Sequence, residues 1–279
     1  MGQFSAGLDR SLAFQKIVLK SWKEIHEHDR LGRLYRGQRS VRWGLQTSLE
    51  RCCDRHGVAH ETRSSFEIRL CREFRRVYHC YSSHLPATRS SLEWLSIMQH
   101  HGAPTRLLDF TYSIYIAAYF ALEDADADCA VWALDGDWAL GQSGMLLKRA
   151  RKTEVDLLLK PFPEESETER CFESIFLTQP FVKAACPLNP FRLDERLRTQ
   201  RGVFLVPADI EASLEDNVRT LPGHDKATNL VQIIIPADVQ KEAIRNLFQM
   251  NISRVSLFPG LDGFSQSLGV YHSVFDSAR

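Results

Sequence analysis

The stretch that decides the fold is Gln99-His100-His101-Gly102-Ala103-Pro104-Thr105-Arg106-Leu107-Leu108-Asp109-Phe110-Thr111. It concentrates two histidines, an arginine, a carboxylate and two threonines between two apolar segments, residues 92–98 and 114–122. An unpaired buried polar group costs about 1–3 kcal/mol, so these side chains must either bond to one another or face a ligand. This stretch is therefore the first candidate site.

The local pattern around this stretch predicts two helices. Ser90 is placed to cap a helix over residues 92–100, and Gly102 and Pro104 end that helix, because glycine and then proline commonly follow a helix C-terminus. Residues 113–123 are apolar on nearly every side, which is typical of a helix buried on all faces.

Further out, the chain alternates helical and strand patterns. Helices are predicted over residues 11–28, 61–81, 192–199 and 239–250, the last capped by Asp238. The core stripe of the second is predicted at Phe66, Leu70, Phe74 and Val77. Strands are predicted at 34–37, 129–134, 202–206 and 230–235, and residues 252–263 are expected to form an irregular turn.

This order of elements predicts an α+β fold, in which a helix-rich N-terminal half packs on a small mixed or antiparallel sheet. With 279 residues, the chain suits one large domain. We expect an N-terminal helix within residues 1–30, a single domain over 31–265 and a C-terminal tail over 266–279.

The overall composition narrows the function classes. No apolar run approaches the roughly 18 residues needed to span a bilayer. The seven cysteines form no Cys-x-x-Cys pair, so neither a disulfide framework nor a zinc knuckle is indicated, and a cytoplasmic location is expected. The formal net charge is zero, but residues 1–111 carry +7 and the remainder −7. The basic half is either a solvated surface or the place where an anionic ligand binds.

The two histidines are candidates for acid–base catalysis, because the charge of histidine changes near neutral pH. Adjacent residues on a helix diverge by about 100°, so His100 and His101 are not expected to share a metal, and no metal site is predicted. The alternative is that a histidine bonds to carbonyl groups at the helix end. Gly102, Thr105 and Asp109 are expected to be structural, with Asp109 available to pair with Arg106.

A second candidate cluster follows the first predicted strand. In Tyr35-Arg36-Gly37-Gln38, the arginine offers a planar fork for phosphate or carboxylate, and the glycine lets a ligand approach the main chain. The nearby Trp43 is either a stacking platform for a base or nicotinamide ring, or a lid on the core.

The third cluster enters a strand through a glycine. In Arg198-Thr199-Gln200-Arg201-Gly202, the glycine is expected to be structural, while Arg198 and Gln200 come to the strand edge. Serine-nucleophile elbows, phosphate-binding loops and the dinucleotide glycine fingerprint are absent from the sequence.

Together these motifs resemble the FRG-domain proteins, named for an aromatic-Arg-Gly triplet that here reads Tyr35-Arg36-Gly37. The stretch 99–111 and the Ala/Tyr/Phe-rich helix after it match the family's most specific signature. Arg198-x-Gln200-x-Gly202-x-Phe204 and Leu257-Phe258-Pro259-x-Leu261-Asp262-Gly263 also fit. The similarity runs from about residue 30 to 265. It implies a bacterial or phage protein from a defence or toxin-like setting.

A weaker similarity is to the mono-ADP-ribosyltransferases, in which an aromatic residue, an Arg or His and a Gly lie on the first strand. There the Arg or His orients NAD and the Gly main chain pairs with the nicotinamide amide. By analogy, Tyr35, Arg36, Gly37, Gln38, Trp43, Gln99, Arg106 and Arg198 are expected to bind the ligand. His100, His101 and Gln200 are the catalytic candidates. Those enzymes also use a Ser/Thr strand, matched loosely by Thr47-Ser48, and a late glutamate, which is missing here.

Three functions remain open from the sequence. The first is an NAD-dependent ADP-ribosyltransferase-like enzyme or toxin, with NAD as its cofactor. The second is a non-catalytic module that binds a nucleotide or nucleic acid. The third is a histidine-based nuclease or hydrolase. The partner is accordingly a small nucleotide ligand or a protein or nucleic-acid target, with no membrane involved and the oligomeric state undetermined.

Overall fold

A computed structural model describes residues 14–82 and 90–268 of the chain. One mixed sheet organises this part of the molecule. Its strands are β1 (Gln15–Val18), β2 (Arg33–Gln38), β3 (Leu108–Thr111), β4 (Cys129–Asp135), β5 (Ala185–Leu188), β6 (Gly202–Pro207) and β7 (Leu230–Ile235).

The strand order across the sheet is β1-β7-β4-β2-β3-β6-β5. The edge strand β1 pairs in parallel with β7, and every other neighbouring pair is antiparallel. The predicted α+β class with a mixed sheet is therefore confirmed. The continuous apolar run of β7 lies between β1 and β4, as its β-branched composition indicated.

Helices cover both faces of the sheet. They are α1 (Ser48–His56), α2 (Arg63–Val77), α3 (Ser91–His100), α4 (Ile114–Leu122), α5 (Gly136–Arg149), α6 (Val155–Leu158), α7 (Glu165–Phe172), α8 (Glu195–Thr199), α9 (Leu214–Arg219), α10 (Ala237–Gln249), α11 (Arg254–Leu257) and α12 (Leu261–Ser267). Short 3-10 helices lie at Trp22–His28, His60–Thr62 and Tyr78–Cys80, and a π-helix at Glu173–Leu177. No helix within the described ranges has the length and apolar character that a membrane span requires.

Alternate residues of the strands build two separate cores. Leu34 and Trp132 belong to a large cluster on one face. Tyr35 and Val131, their neighbours in sequence, belong to a second cluster with α4 and α10 on the opposite face. This division follows from the strand period, because successive side chains point to opposite faces of a sheet.

The sheet opens at its centre. Strand β2 pairs with β4 along its whole length, from Arg33 to Gln38, but with β3 only where Tyr35 faces Thr111. On its other side β3 pairs with β6 over all of its residues. Beyond Tyr35 the strands share no paired residues, and Arg36 and Asp109 lie at this opening.

Three local predictions are wrong. The helix expected over residues 11–28 is a strand and a 3-10 helix in its described part, because Gln15–Val18 adds to the edge of β7, and residues 11–13 lie outside the described residues. Asp238 does not cap α10, whose N-cap is Pro236. The segment 252–263, expected to be an irregular turn, includes α11 and the start of α12. The division into a domain over 31–265 and flanking segments stays a prediction.

Gly37 allows α4 to pack directly on the sheet. A Cβ built on Gly37 would lie 1.9 Å from the Ala117 carbonyl oxygen and 2.5 Å from the Ala121 amide nitrogen. Ala117 and Ala121 are themselves fully buried. Close approach of two backbones therefore explains why a glycine follows Arg36 in β2.

We expect Gly37→Ala to lower the free energy of unfolding by about 1–3 kcal/mol or more, because overpacking against main-chain atoms forces the helix to move. The matched control is Gly141→Ala in the exposed part of α5, where an added Cβ meets nothing within 4 Å. That change should raise stability by about 0.5–1 kcal/mol. Urea denaturation measures both, and equal effects of the two substitutions would refute the packing argument.

Candidate functional site

A pocket of about 210 Å³ lies at the opening between β2 and β3. It joins residues from four separate parts of the chain. The lining residues are Tyr35, Arg36, Gly37, Asp109, Phe110, Thr111, Phe120, Arg196, Leu197, Gln200 and Gly202. The aromatic-Arg-Gly triplet, the end of the stretch 99–111 and the Gln200 motif thus meet at one place.

Arg36 is a charged group of this pocket whose hydrogen bonds are incomplete. Its Nη1 donates to the Asp109 main-chain oxygen at 2.7 Å, while its buried Nε has no hydrogen-bond partner. Burial lowers the pKa of Arg36; the Asp109 carboxylate opposes this shift and Arg51 adds to it. A partly buried guanidinium with an unsatisfied donor favours an anionic ligand, because such a ligand restores the interactions lost with water.

Asp109 presents a carboxylate to the same pocket. Its neighbours Leu108 and Phe110 are buried in the core, so the strand period turns Asp109 to the opposite, exposed side. Its Oδ2 accepts a hydrogen bond from Gln99 Nε2 at 2.8 Å. Asp109 was expected to be structural and to pair with Arg106, but its side chain is held by Gln99 instead.

Gln200 and Thr111 close the pocket from the side of β6. The Thr111 hydroxyl donates to the Gln200 main-chain oxygen at 2.7 Å, and Gln200 Nε2 donates to the Leu257 oxygen at 3.1 Å. Gln200 is therefore fixed at the pocket wall by both its main chain and its side chain.

Thr47-Ser48, matched loosely in sequence to a Ser/Thr strand, does not lie on a strand. Thr47 caps α1 by accepting from the Glu50 amide, so Thr47-Ser48 begins a helix. Thr111 instead ends β3 opposite Tyr35, and Ser113 caps α4 two residues later. The Thr111-x-Ser113 pattern in the sequence was a signal that could have identified this strand.

Gln99 supports the pocket from behind. Its amide nitrogen donates to Asp109, and its Oε1 accepts from the Thr105 hydroxyl at 2.5 Å. Gln99 was expected to bind the ligand directly. The structure shows both ends of its amide engaged within the protein, so it orients Asp109.

Arg106 does not line the pocket, although it was expected to bind the ligand. Its side chain is only 1% exposed and forms an ion pair with Glu67 of α2, with Nε 2.7 Å from Oε2. Its Nη1 donates to the Phe176 carbonyl at 2.6 Å. A ligand could reach this guanidinium only by breaking the core.

Two further predicted ligand contacts are also satisfied inside the protein. The Tyr35 ring is fully buried, and its hydroxyl donates to the His28 oxygen and accepts from the Arg30 amide, each at 2.8 Å. Gln38 accepts from the Trp132 indole and donates to the Gly44 oxygen. Only the Tyr35 backbone reaches the pocket wall, because its side chain points to the opposite core.

The two histidines lie outside the pocket lining. His100 Nδ1 is 3.4 Å from Asp194 Oδ2, and Asp194 caps α8. Desolvation and, to a smaller extent, His100 lower the pKa of His101, while Asp194 opposes this shift. His100 thus contacts the N-cap of a short helix whose residues Arg196 and Leu197 line the pocket.

Trp43 and Arg198 are exposed and separate from the pocket lining. The Arg39 guanidinium covers the Trp43 ring at 5.9 Å from its centroid, and Arg39 also pairs with Asp124 at 3.6 Å. These contacts neutralise part of the arginine-rich loop. Arg198 lies on the outer side of α8.

The residues expected to be structural have clear local roles. Gly102 has a φ of +77°, which a residue with a side chain rarely adopts after a helix. Thr105 is fully buried and its carbonyl accepts from the Leu49 amide at 3.0 Å. A Cβ on Gly202 would lie 2.2 Å from a Leu197 methyl carbon, so this glycine lets α8 pack on β6.

Some pocket residues were not found by sequence reasoning. Phe120 and Arg196 line the pocket, and Phe258 lies behind them, with its ring 6.0 Å from Phe120 and under the Arg196 guanidinium at 4.7 Å. Phe258 belongs to the late Leu-Phe-Pro motif, which was the available signal.

Among residues 14–82 and 90–268, no three His, Cys, Asp or Glu side chains are grouped to hold a metal, and the expectation of no metal stays a prediction.

The comparisons with known proteins agree with the first two motifs. A model of the FRG domain matches residues 32–129, from the start of β2 to the start of β4. No curated protein and no solved structure matches the chain. The matched range contains Arg36 and Asp109, whereas the Gln200 and Leu257–Gly263 motifs lie beyond it.

We expect Arg106→Ala to cost about 3–5 kcal/mol of unfolding free energy, because it leaves the Glu67 carboxylate buried without its partner. Arg36→Ala should cost about 1 kcal/mol, since it removes one hydrogen bond to a main-chain oxygen. Chemical denaturation of both variants separates a structural arginine from a site arginine. The assignment is overturned when Arg36→Ala is the more damaging change.

Proposed function

Because residues 32–129 match the FRG domain, we propose that this chain is an NAD-dependent, ADP-ribosyltransferase-like enzyme acting in a bacterial or phage defence or toxin setting. The observation that carries the proposal is the meeting of three groups at the opening of the sheet. These are Arg36 of β2, the Thr111 end of β3 and Gln200 before β6. An arginine strand beside a Ser/Thr strand is the arrangement that the analogy with ADP-ribosyltransferases requires.

Arg36 would bind the anionic part of the dinucleotide. Its Nη1 is already oriented by the Asp109 carbonyl, so the guanidinium is held in place before a ligand arrives. Its unpartnered Nε offers a donor for a phosphate oxygen. Arg51, which also lowers the pKa of Arg36, adds positive charge to this region.

The size of the pocket decides which part of NAD it takes. Sites for whole drug-sized ligands usually measure about 300–1,000 Å³, and this pocket, at about 210 Å³, is smaller. We therefore assign it to the nicotinamide–ribose end. The Phe120 side chain in the wall provides an apolar surface for a ring.

Asp109 supplies the carboxylate that the sequence lacks at position 200. Cleavage of the bond between ribose C1′ and the nicotinamide nitrogen leaves positive charge on the ribose and moves the electron pair to nicotinamide. A negative carboxylate nearby stabilises that charge. The acceptor nucleophile then forms a bond to C1′, and its proton passes to the carboxylate acting as general base.

Gln200 is suited to orienting the ribose. Its Nε2 is engaged by Leu257, which leaves the amide oxygen as an acceptor for a sugar hydroxyl. This role needs no charge, and it is consistent with a glutamine at the place where a glutamate is usual.

The second candidate is non-catalytic binding of a nucleotide in the same pocket. The replacement of the usual glutamate by Gln200 favours it, since Arg36 can still hold phosphate when no bond is broken. A histidine-based nuclease receives no such support, because His100 is paired with Asp194 outside the pocket lining.

We expect purified protein to release nicotinamide from NAD, and Arg36→Ala or Asp109→Asn to lower kcat/KM by about 100-fold or more, as loss of one charge-stabilising group typically does. The control Arg198→Ala changes an exposed arginine outside the pocket lining and should alter the rate by no more than about twofold. Nicotinamide release and thermal melting with millimolar NAD are measured together. A melting shift that depends on Arg36, in the absence of turnover, establishes the binding module. If NAD causes neither turnover nor a melting shift, both candidates are refuted.

A further inference from the structure

Helix α2 leaves part of its apolar surface uncovered. Its only fully buried side chains are the charged Arg63 and Glu67, at 3% and 2% exposure. Of the predicted core stripe, Phe66, Leu70 and Phe74 are half-buried and Val77 is 46% exposed. Phe66, Leu70 and Phe74 pack against the cores from one side. Val77 and Ile68 stay exposed, so contacts within the described part of the chain leave these apolar side chains uncovered.

A cavity of about 420 Å³ lies beside this face, bounded by α2, α3 and the end of the π-helix. Its apolar lining is formed by Ile68, Cys71, Leu95 and Leu177. Ile68 is 57% exposed at the mouth, whereas Leu95 is buried at the floor. The volume is within the range of about 300–1,000 Å³ that is common for small-ligand sites.

Three arginines of α2, at positions 72, 75 and 76, form the rim of the cavity. Arg72 is exposed and has no hydrogen-bond or ion-pair partner among the described residues. The Arg75 guanidinium lies 5.1 Å from the centroid of the Trp94 ring, and Arg76 pairs with Glu73 at 2.9 Å. The rim therefore combines fixed positive charge with one arginine available for a ligand.

The acidic groups at this cavity are largely engaged. Glu67 lines it, but its two oxygens accept from the Arg106 amide and Nε. Glu169 is not a lining residue, and its Oε1 accepts from the amide of the lining residue Ser91 at 2.8 Å. The remaining field is positive, so the cavity complements an apolar molecule that ends in a negative group.

We propose that this cavity binds a single anionic amphiphile: an apolar chain enters between Ile68 and Leu95, and its terminal carboxylate binds Arg72. The apolar chain gains from leaving water, and arginine matches the planar carboxylate with two parallel hydrogen bonds. This site is separate from the Arg36 pocket, and no residue lines both. The inference therefore stands independently of the proposed enzymatic function.

The direct test uses decanoate, below its micelle concentration, as the probe in isothermal titration calorimetry with the full chain. Decan-1-ol tests the need for the head group, decyltrimethylammonium tests the sign of its charge, and butyrate tests the need for the chain. We expect decanoate to bind with a one-to-one ratio and at least tenfold more tightly than each of the other three. Equal binding of decanoate and decyltrimethylammonium overturns the charge argument.

Matched variants locate the binding. Arg72→Gln should weaken decanoate binding about five- to tenfold, as loss of one charge-assisted contact does. Arg69→Gln should leave it unchanged, because Arg69 lies on the same helix over the Phe66 ring and outside the cavity. Ile68→Asp places a carboxylate at the exposed mouth, where it should abolish binding without disturbing the core.

Circular dichroism and thermal melting establish that each variant is folded, and Arg36→Ala should bind decanoate as the wild type does. The proposal is refuted when decanoate does not bind, or when Arg72→Gln and Arg69→Gln behave alike. Binding of an acidic amphipathic peptide in the absence of decanoate binding also refutes it, and reassigns the cavity to a protein partner.

Discussion

The buried ion pair between Arg106 and Glu67 connects separate parts of this fold. It joins the loop before β3 to α2, and the same guanidinium bonds to the Phe176 carbonyl in the π-helix. Removing both charges from water is costly. Part of this cost is offset because the two Glu67 oxygens accept from the Arg106 amide and Nε. The pair fixes the position where β3 begins, and therefore where Asp109 emerges.

The pocket depends on a second set of contacts that acts on the opposite side of β3. Gln99 connects Thr105 with Asp109, and the Asp109 carbonyl holds Arg36 across the gap in the sheet. Because these bonds link polar residues within one segment, the stretch 99–111 serves as both scaffold and site. Within this stretch, Thr105 and Arg106 are buried, and Asp109 is the residue that a ligand can reach.

Much of the secondary structure could be predicted from local pattern. The strand containing Arg36, the helix capped by Ser90 and the buried helix α4 all follow from period, capping residues and apolar runs. Edge strand β1 could not be predicted, because its four residues become a strand only by pairing with β7, more than 200 residues later. Helix α5 was also missed. The run Asp135-Gly136-Asp137 suggests a turn, but here Asp135 caps a long helix.

The sequence by itself determined the resemblance of residues 32–129 to the FRG domain, the mixed α+β class and the polar stretch around which the site forms, since each depends on residue type and spacing along the chain. Only the tertiary structure decided which polar groups face a ligand. Arg36 and Arg106 look equivalent in sequence. Arg36 lines a pocket, whereas the charge of Arg106 is neutralised by Glu67. The physical reason is that the surroundings of a charge, and not its identity, determine whether it is already satisfied, and those surroundings come from α2, β6 and α8, which are distant along the chain.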